Sequence, residues 1–200
     1  PAWRYPGFAT GRLLTSLIEA ICRRRSVSPK HLEAPGPTSR QLSEMARASA
    51  TGIDHGRLAP ARFVCIKCET RHALADAFAA AAVEAGDSGD ERQVQIARER
   101  ALAGPCLVAV VARIDDGNAI PSHEQWIAVG AALQNFMLAA SSMDYAAKVV
   151  SGKRVDSDAL RGFFRLGAGE HLVGFIAMGT STQAPRELPR KLPEEILVSM

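Results

Sequence analysis

The chain has 200 residues and 21.4 kDa, enough for one domain that buries about 70% of the surface its unfolded form exposes. Apolar residues make up 47% and charged residues 22%, which excludes a disordered tail, a collagen-like fibre and a disulfide-stapled miniprotein. A net charge of +3 from 24 basic and 21 acidic residues argues against a protein that coats nucleic acid, and no apolar run nears the roughly 18 residues of a membrane span.

Leu13, Leu14, Leu17, Ile18 and Ile21 fall at helical spacing and predict an opening helix that runs into Arg23-Arg24-Arg25. Pro35, Gly36 and Pro37 make residues 32–37 a loop. Thr38 then caps a helix whose inner face is Leu42, Met45, Ala46 and Ser49. A glycine-flanked loop, 52–56, leads to Phe63-Val64-Cys65-Ile66, short and rich in β-formers, which predicts a buried strand. Residues 71–85 are alanine-dense and helical, 86–89 break the helix, and 92–102 resume it. A second buried strand follows at 107–111. Pro121 opens a long helix with Trp126, Val129, Gly130, Leu133, Phe136, Met137 and Ala140 on one broad face. Its small residues, Gly130, Ala131, Ala132, Ala139 and Ala140, permit close backbone approach and place it centrally.

A short strand at about 147–150 precedes Ser151-Gly152, Ser157 or Asp158 caps a helix through Phe164, and 172–178 form the last strong strand. The tail is punctuated by Pro185, Pro189 and Pro193. Two helices precede the first strand and two separate it from the second, so regular βαβ units do not fit. An α+β layered fold does.

Common catalytic motifs are absent: there is no phosphate-binding G-x-x-x-x-G-K-[ST], no G-x-S-x-G elbow and no H-E-x-x-H helix. Gly167-Ala168-Gly169 follows a helix and lacks the third glycine of a dinucleotide fingerprint. Cys22, Cys65, Cys68 and Cys106 sit among apolar neighbours and are expected to be buried free thiols of a reducing compartment. Cys65-Ile66-Lys67-Cys68 is formally C-x-x-C, but nothing nearby completes a zinc set, so two packed thiols are expected. The first residues lack the continuous apolar core of a signal peptide, and a cytoplasmic protein is expected.

Three polar groups of residues remain. Arg24-Arg25-Ser26 with Ser28 offers forked cationic donors and hydroxyls, which suit a phosphate monoester, or else a basic helix end that complements the macrodipole. Asp54-His55-Gly56-Arg57 lies in a loop delivered to the mouth of a strand, as a ligand contact or as plain loop residues. Val150-Ser151-Gly152 is a small-residue turn where backbone can lie flat against a planar ligand.

With Pro37-Thr38 through Leu42, Pro60, Phe63-Val64, the helix 128–140, and Val173-Gly174-Phe175 through Gly179-Thr180, these groups stand in an order that resembles the small FMN-dependent nitroreductase family of bacteria. The resemblance covers about residues 13–186. It implies an α+β fold with a mixed central sheet sandwiched by helices, in a single domain at 13–200 after an N-terminal extension at 1–12. It also implies an intertwined homodimer with FMN at the interface. By position, Arg24, Arg25 and Ser26 would hold the phosphate and ribityl end with Ser28 nearby, and Arg186 would add a second phosphate contact, with Arg190 and Lys191 less well placed. Asp54, His55 and Arg57 would reach the flavin from the partner subunit, and Val150, Ser151 and Gly152 would line its ring. The implied activity is ping-pong transfer of hydride from NADH or NADPH through FMN to small acceptors such as nitroaromatics or quinones, without a side-chain nucleophile, metal, nucleic acid or membrane.

Two departures favour an alternative, an FMN-binding protein with weak or no turnover. Ala61 stands where the family usually has an aromatic, and Lys148-Val149-Val150 replaces a Trp-Arg pair ahead of the Ser-Gly.

Overall fold

The computed structural model describes residues 17–86, 90–184 and 189–199. The expected N-terminal extension, Leu13, Leu14 and Pro185 lie outside the described residues. Within them, the chain runs α1 (Leu17–Arg23), β1 (Leu32–Glu33), α2 (Ser39–Ser49), β2 (Ala61–Cys65), α3 (Arg71–Glu84), α4 (Glu91–Leu102), β3 (Cys106–Arg113), α5 (Ser122–Ser142), β4 (Ala146–Val150), α6 (Asp158–Phe164) and β5 (Glu170–Ser181).

β5 is the strand on which the sheet is assembled. It pairs antiparallel with β3 from Cys106↔Met178 to Arg113↔Glu170, with β4 from Ala146↔Gly179 to Val150↔Phe175, and with β1 at its end. β2 lies outside β3. Among the described residues, the sheet is mixed only through a single parallel bridge, Ser26 to Ala147.

β3 is apolar without alternation, and it is buried from Cys106 to Ala112 because helices cover both faces. Leu107, Ala109 and Val111 face a cluster with Leu74 and Phe78 of α3, Ala97 of α4 and Leu160 of α6. Cys106, Val108 and Val110 face Met45 of α2 and Phe136, Met137 and Ala140 of α5. The period-two reversal of side chains thus divides the core into two layers. α2 is opened by a capping box in which Thr38 Oγ1 accepts from the Gln41 N–H while the Gln41 carboxamide accepts from the Thr38 N–H. Phe63 of β2 stacks on Phe136 with ring centroids 4.5 Å apart, and Gly52 lets the chain leaving α2 press on α5, where a Cβ would stand 3.1 Å from the Ala132 nitrogen.

Several expectations are corrected. The segment read as a loop at 32–37 begins with the two-residue strand β1. β2 is an edge strand and only partly buried, because no strand covers its outer side. For the same reason Cys65 is exposed, as are Cys68 and Cys22, leaving Cys106 as the one buried thiol. Its burial and the neighbouring Cys65 push its pKa up to about 11. On α5, Gly130 meets open space, Trp126 is exposed, and on α2 Ala46 is exposed.

The end of the sheet nearest β4 holds a local irregularity that reaches the site. The β3–β5 register shifts between Val110↔Gly174 and Val111↔Leu172, leaving Val173 as an extra residue. The carbonyl of Val173 thereby accepts a hydrogen bond from Ser151 Oγ at 2.8 Å. Gly174 beside it has φ +154°, and a Cβ there would lie 2.7 Å from the Val150 carbonyl oxygen. Gly174→Ala is therefore expected to destabilise the protein by about 1–3 kcal/mol, read as a fall in the urea midpoint at constant slope. An unchanged midpoint would show that this approach of backbones is not needed.

Candidate functional site

Helix α1 is short, and the chain leaves it at Arg24 to run alongside β4. The Val27 N–H donates to the Ala147 carbonyl at 3.3 Å, next to the Ser26–Ala147 bridge. This holds Arg24, Arg25 and Ser26 against the sheet. Arg25 Nη1 donates to the Arg24 carbonyl at 2.9 Å and also to that of Cys22. Even so, Arg24 Nη1 and Arg25 Nε are buried without a hydrogen-bond partner among the described residues, an arrangement that a ligand able to accept from them would relieve.

A third guanidinium joins them from the far end of the chain. Arg190 Nη2 lies 3.5 Å from the Arg24 carbonyl. The pKa of Arg24 is lowered, first by burial, then by Arg190, then by Arg25. Lowering of an arginine pKa means that the folded state works against its positive charge. No carboxylate within the described residues is paired with Arg24, Arg25 or Arg190. Such a gathering of cations suits a phosphate or another compact polyanion.

Beyond Ser26 the chain enters a cavity of about 860 Å³ lined by Ser28, Val150, Ser151 and Gly152. Its floor is apolar, made by Phe78 of α3, Leu107 of β3 and Phe175 and Ala177 of β5. β4 contributes to the wall. Ala147 and Val149 pack toward the α5 layer and Val150 toward the α3 layer, and Lys148, Val149 and Val150 all border the cavity. Gly152 is fully extended at φ 166°, and a Cβ there would touch nothing within 4 Å, so the turn opens onto free space.

The expected site residues therefore divide. Arg24, Arg25 and Ser26 form the cationic end, and Ser28, Val150, Ser151 and Gly152 line the adjoining cavity. Asp54, His55 and Arg57 do not line that cavity within one chain. The Asp54 carboxylate accepts from the Leu58 and Ala59 N–H groups at 3.1 and 2.7 Å, closing its own loop. It also lines a separate hollow of about 280 Å³ between α2, α5 and β2. His55 Nδ1 is 2.7 Å from Glu124 Oε2 of α5, and Arg57 is exposed. Arg186 lies outside the described residues, and Arg190, ranked below it from sequence, stands beside Arg24. The cavity also contains Lys30, Arg100, Lys148, Lys153 and Arg154, which sequence reasoning did not single out as site residues. They come from segments distant in sequence and share no spacing.

A family model described as "Nitroreductase family" matches residues 21–180. YdjA of Escherichia coli K12, which carries an NAD(P)H nitroreductase name, is 29% identical over 163 residues, covering 82% of this chain and 87% of YdjA. A protein of Haemophilus influenzae Rd with an NAD(P)H nitroreductase name is 33% identical over 162 residues, 80% of this chain and 87% of that protein. Among solved structures, a nitroreductase-like family protein from Bacillus cereus superposes with a TM-score of 0.82 at 22% identity, over 96% of this chain and 99% of that one. A nitroreductase-named protein from Desulfovibrio desulfuricans, solved with FMN, gives 0.69 at 22% identity over 92% and 96%. The structural likenesses speak for the shared fold.

Inorganic phosphate is expected to raise the thermal midpoint of the parent protein by binding the arginine cluster of the folded state. The double variant Arg24→Gln/Arg25→Gln should lose most of that rise. Equal rises in parent and variant would show that the anion acts elsewhere.

Proposed function

Because the chain belongs to the nitroreductase family, we propose that it is an FMN-dependent oxidoreductase that draws on NADH or NADPH and serves small acceptors such as nitroaromatics or quinones in ping-pong order. The observation that carries this reading is the convergence of Arg24, Arg25 and Arg190, with two buried guanidinium nitrogens that have no hydrogen-bond partner among the described residues.

The residues present fit the cofactor. Arg24, Arg25 and Arg190 neutralise its phosphate, with Arg186 close in sequence as a further donor. Ser26 and Ser28 offer hydroxyls to the ribityl chain. The Val150-Ser151-Gly152 turn gives a flat, side-chain-poor wall for the ring, held in place by the Ser151–Val173 hydrogen bond. Lys148, projecting into the same cavity, supplies positive charge for electron density gathering on a reduced ring. FMN, when bound by these residues, would supply the hydride-transfer redox chemistry. No side chain need act as nucleophile or general base.

Two further features support a homodimer. Leu17, Ile18 and Ile21 of α1 are 73%, 57% and 43% exposed, an apolar stripe that calls for a covering surface. Asp54, His55 and Arg57 lie away from the chain's own cavity, as expected for a loop that serves the partner's.

A second reading keeps the flavin without efficient turnover. It is favoured by Val149 and Val150, which leave the turn with neither the indole nor the arginine of the family pattern, and by Ala61.

Purified protein is expected to be yellow, to release FMN on denaturation, to sediment as a dimer and to oxidise NADH or NADPH when given a quinone or nitroaromatic. Arg24→Ala and Arg25→Ala should each weaken FMN binding by about 1.5–3 kcal/mol. Yellow protein inert toward every acceptor would favour the second reading, and colourless protein that refuses added FMN would overturn both.

A further inference from the structure

The cavity behind Ser151 and Gly152 carries more positive charge than a flavin ring needs. Its described lining holds Lys30, Arg100, Lys148, Lys153 and Arg154 and no aspartate or glutamate. These cations come from four places: the 3-10 turn Pro29–His31, the last turn of α4, the middle of β4, and the 3-10 turn Lys153–Asp156. Lys30, Arg100, Lys148 and Lys153 have no carboxylate partner among the described residues. The chain as a whole has 24 basic residues against 21 acidic ones, so composition does not account for the local excess.

The arrangement is also sided. Among the lining residues Lys30, Arg100 and Lys153 are exposed to solvent, whereas Phe78, Leu107 and Phe175 are buried. A site with an apolar floor and a cationic rim suits a ligand that is flat at one end and multiply anionic at the other. Arg24, Arg25 and Arg190 are not among the residues lining the cavity, so the rim is a second anion-attracting group, separate from the one assigned to the FMN phosphate. NADPH and NADH share the nicotinamide ring and the pyrophosphate and differ in one 2′-phosphate, which brings between about one and a half and two negative charges at neutral pH.

We infer that Lys30, Arg100 and Lys153 select the electron donor, binding the 2′-phosphate of NADPH and so favouring it over NADH. The inference rests on the reading of the site as a nicotinamide-driven flavin site. Arg100 offers a planar fork to two phosphate oxygens, and the two lysines add charge from two separate 3-10 turns. With NADH these cations are left without the dianion.

The test uses FMN-loaded protein and has two arms. In calorimetric titration, adenosine 2′,5′-bisphosphate is expected to bind at least roughly tenfold more tightly than adenosine 5′-monophosphate, the scale of one charge-assisted hydrogen bond. Arg100→Ala and Lys153→Ala should each remove most of that difference. Both positions are exposed, so the variants should fold, and circular dichroism checks that they do. In steady state, the ratio of kcat/KM for NADPH to that for NADH should exceed about ten and fall toward one in the same variants. Equal affinity for the two adenosine nucleotides, or a difference that survives both substitutions, would overturn the inference. A flavoprotein that oxidises both donors equally would defeat donor selection alone. A chain that holds FMN but oxidises neither donor would defeat the functional reading, and the titration would still decide whether the rim binds a 2′-phosphate.

Discussion

Three guanidinium groups are brought together with no carboxylate paired to them among the described residues. Arg24 and Arg25 follow one another at the end of α1, and Arg190 reaches them from 166 residues away. Each is positively charged at any physiological pH, and burial of Arg24 beside the other two lowers its pKa, a sign that the fold opposes the charge. A protein that only had to be stable would gain from replacing such a group with apolar residues or from pairing it with a carboxylate. The burial of two guanidinium nitrogens that have no partner among the described residues would be offset by a bound polyanion. The rest of the site follows from where that anion would lie.

The sheet conveys that position to the cavity. Because the segment after Arg25 bridges to Ala147, the cationic end is fixed to one end of β4, and the Ser151-Gly152 turn leaves the other end. The extra residue at Val173 and the close passage of Gly174 under Val150 hold that turn to β5. A phosphate at one end and a flat ring at the other would then share a rigid strand as their ruler, which is the kind of preorganisation that cofactor chemistry requires. The buried, two-faced packing of β3 supports β5 from behind, so the site rests on the most buried part of the molecule.

Much of this was legible in the residues themselves, for local reasons. The apolar run through residues 106–112 reads as a buried strand, and Thr38 marks a helix start that the structure closes with a capping box to Gln41. Arg24, Arg25 and Ser26 stood out because they are adjacent. Long-range features were not legible. Arg190 is one of several basic residues in a proline-rich tail, and nothing local marks it as the partner of Arg24. The cavity cations Lys30, Arg100, Lys148 and Lys153 come from four unrelated segments. Phe63 to Ile66 has the composition of a central strand, yet its position at the sheet edge, which exposes Cys65, depends on the absence of a further strand. The two residues of β1 are too few to show alternation at all.

The dependence on phosphate can be measured directly by titrating flavin-free protein with FMN and with riboflavin, which share the ring and the ribityl chain and differ only in the phosphate. The account predicts that FMN binds at least roughly a hundredfold more tightly, the effect of two charge-assisted hydrogen bonds at the low end of their range. Equal dissociation constants for the two would contradict it.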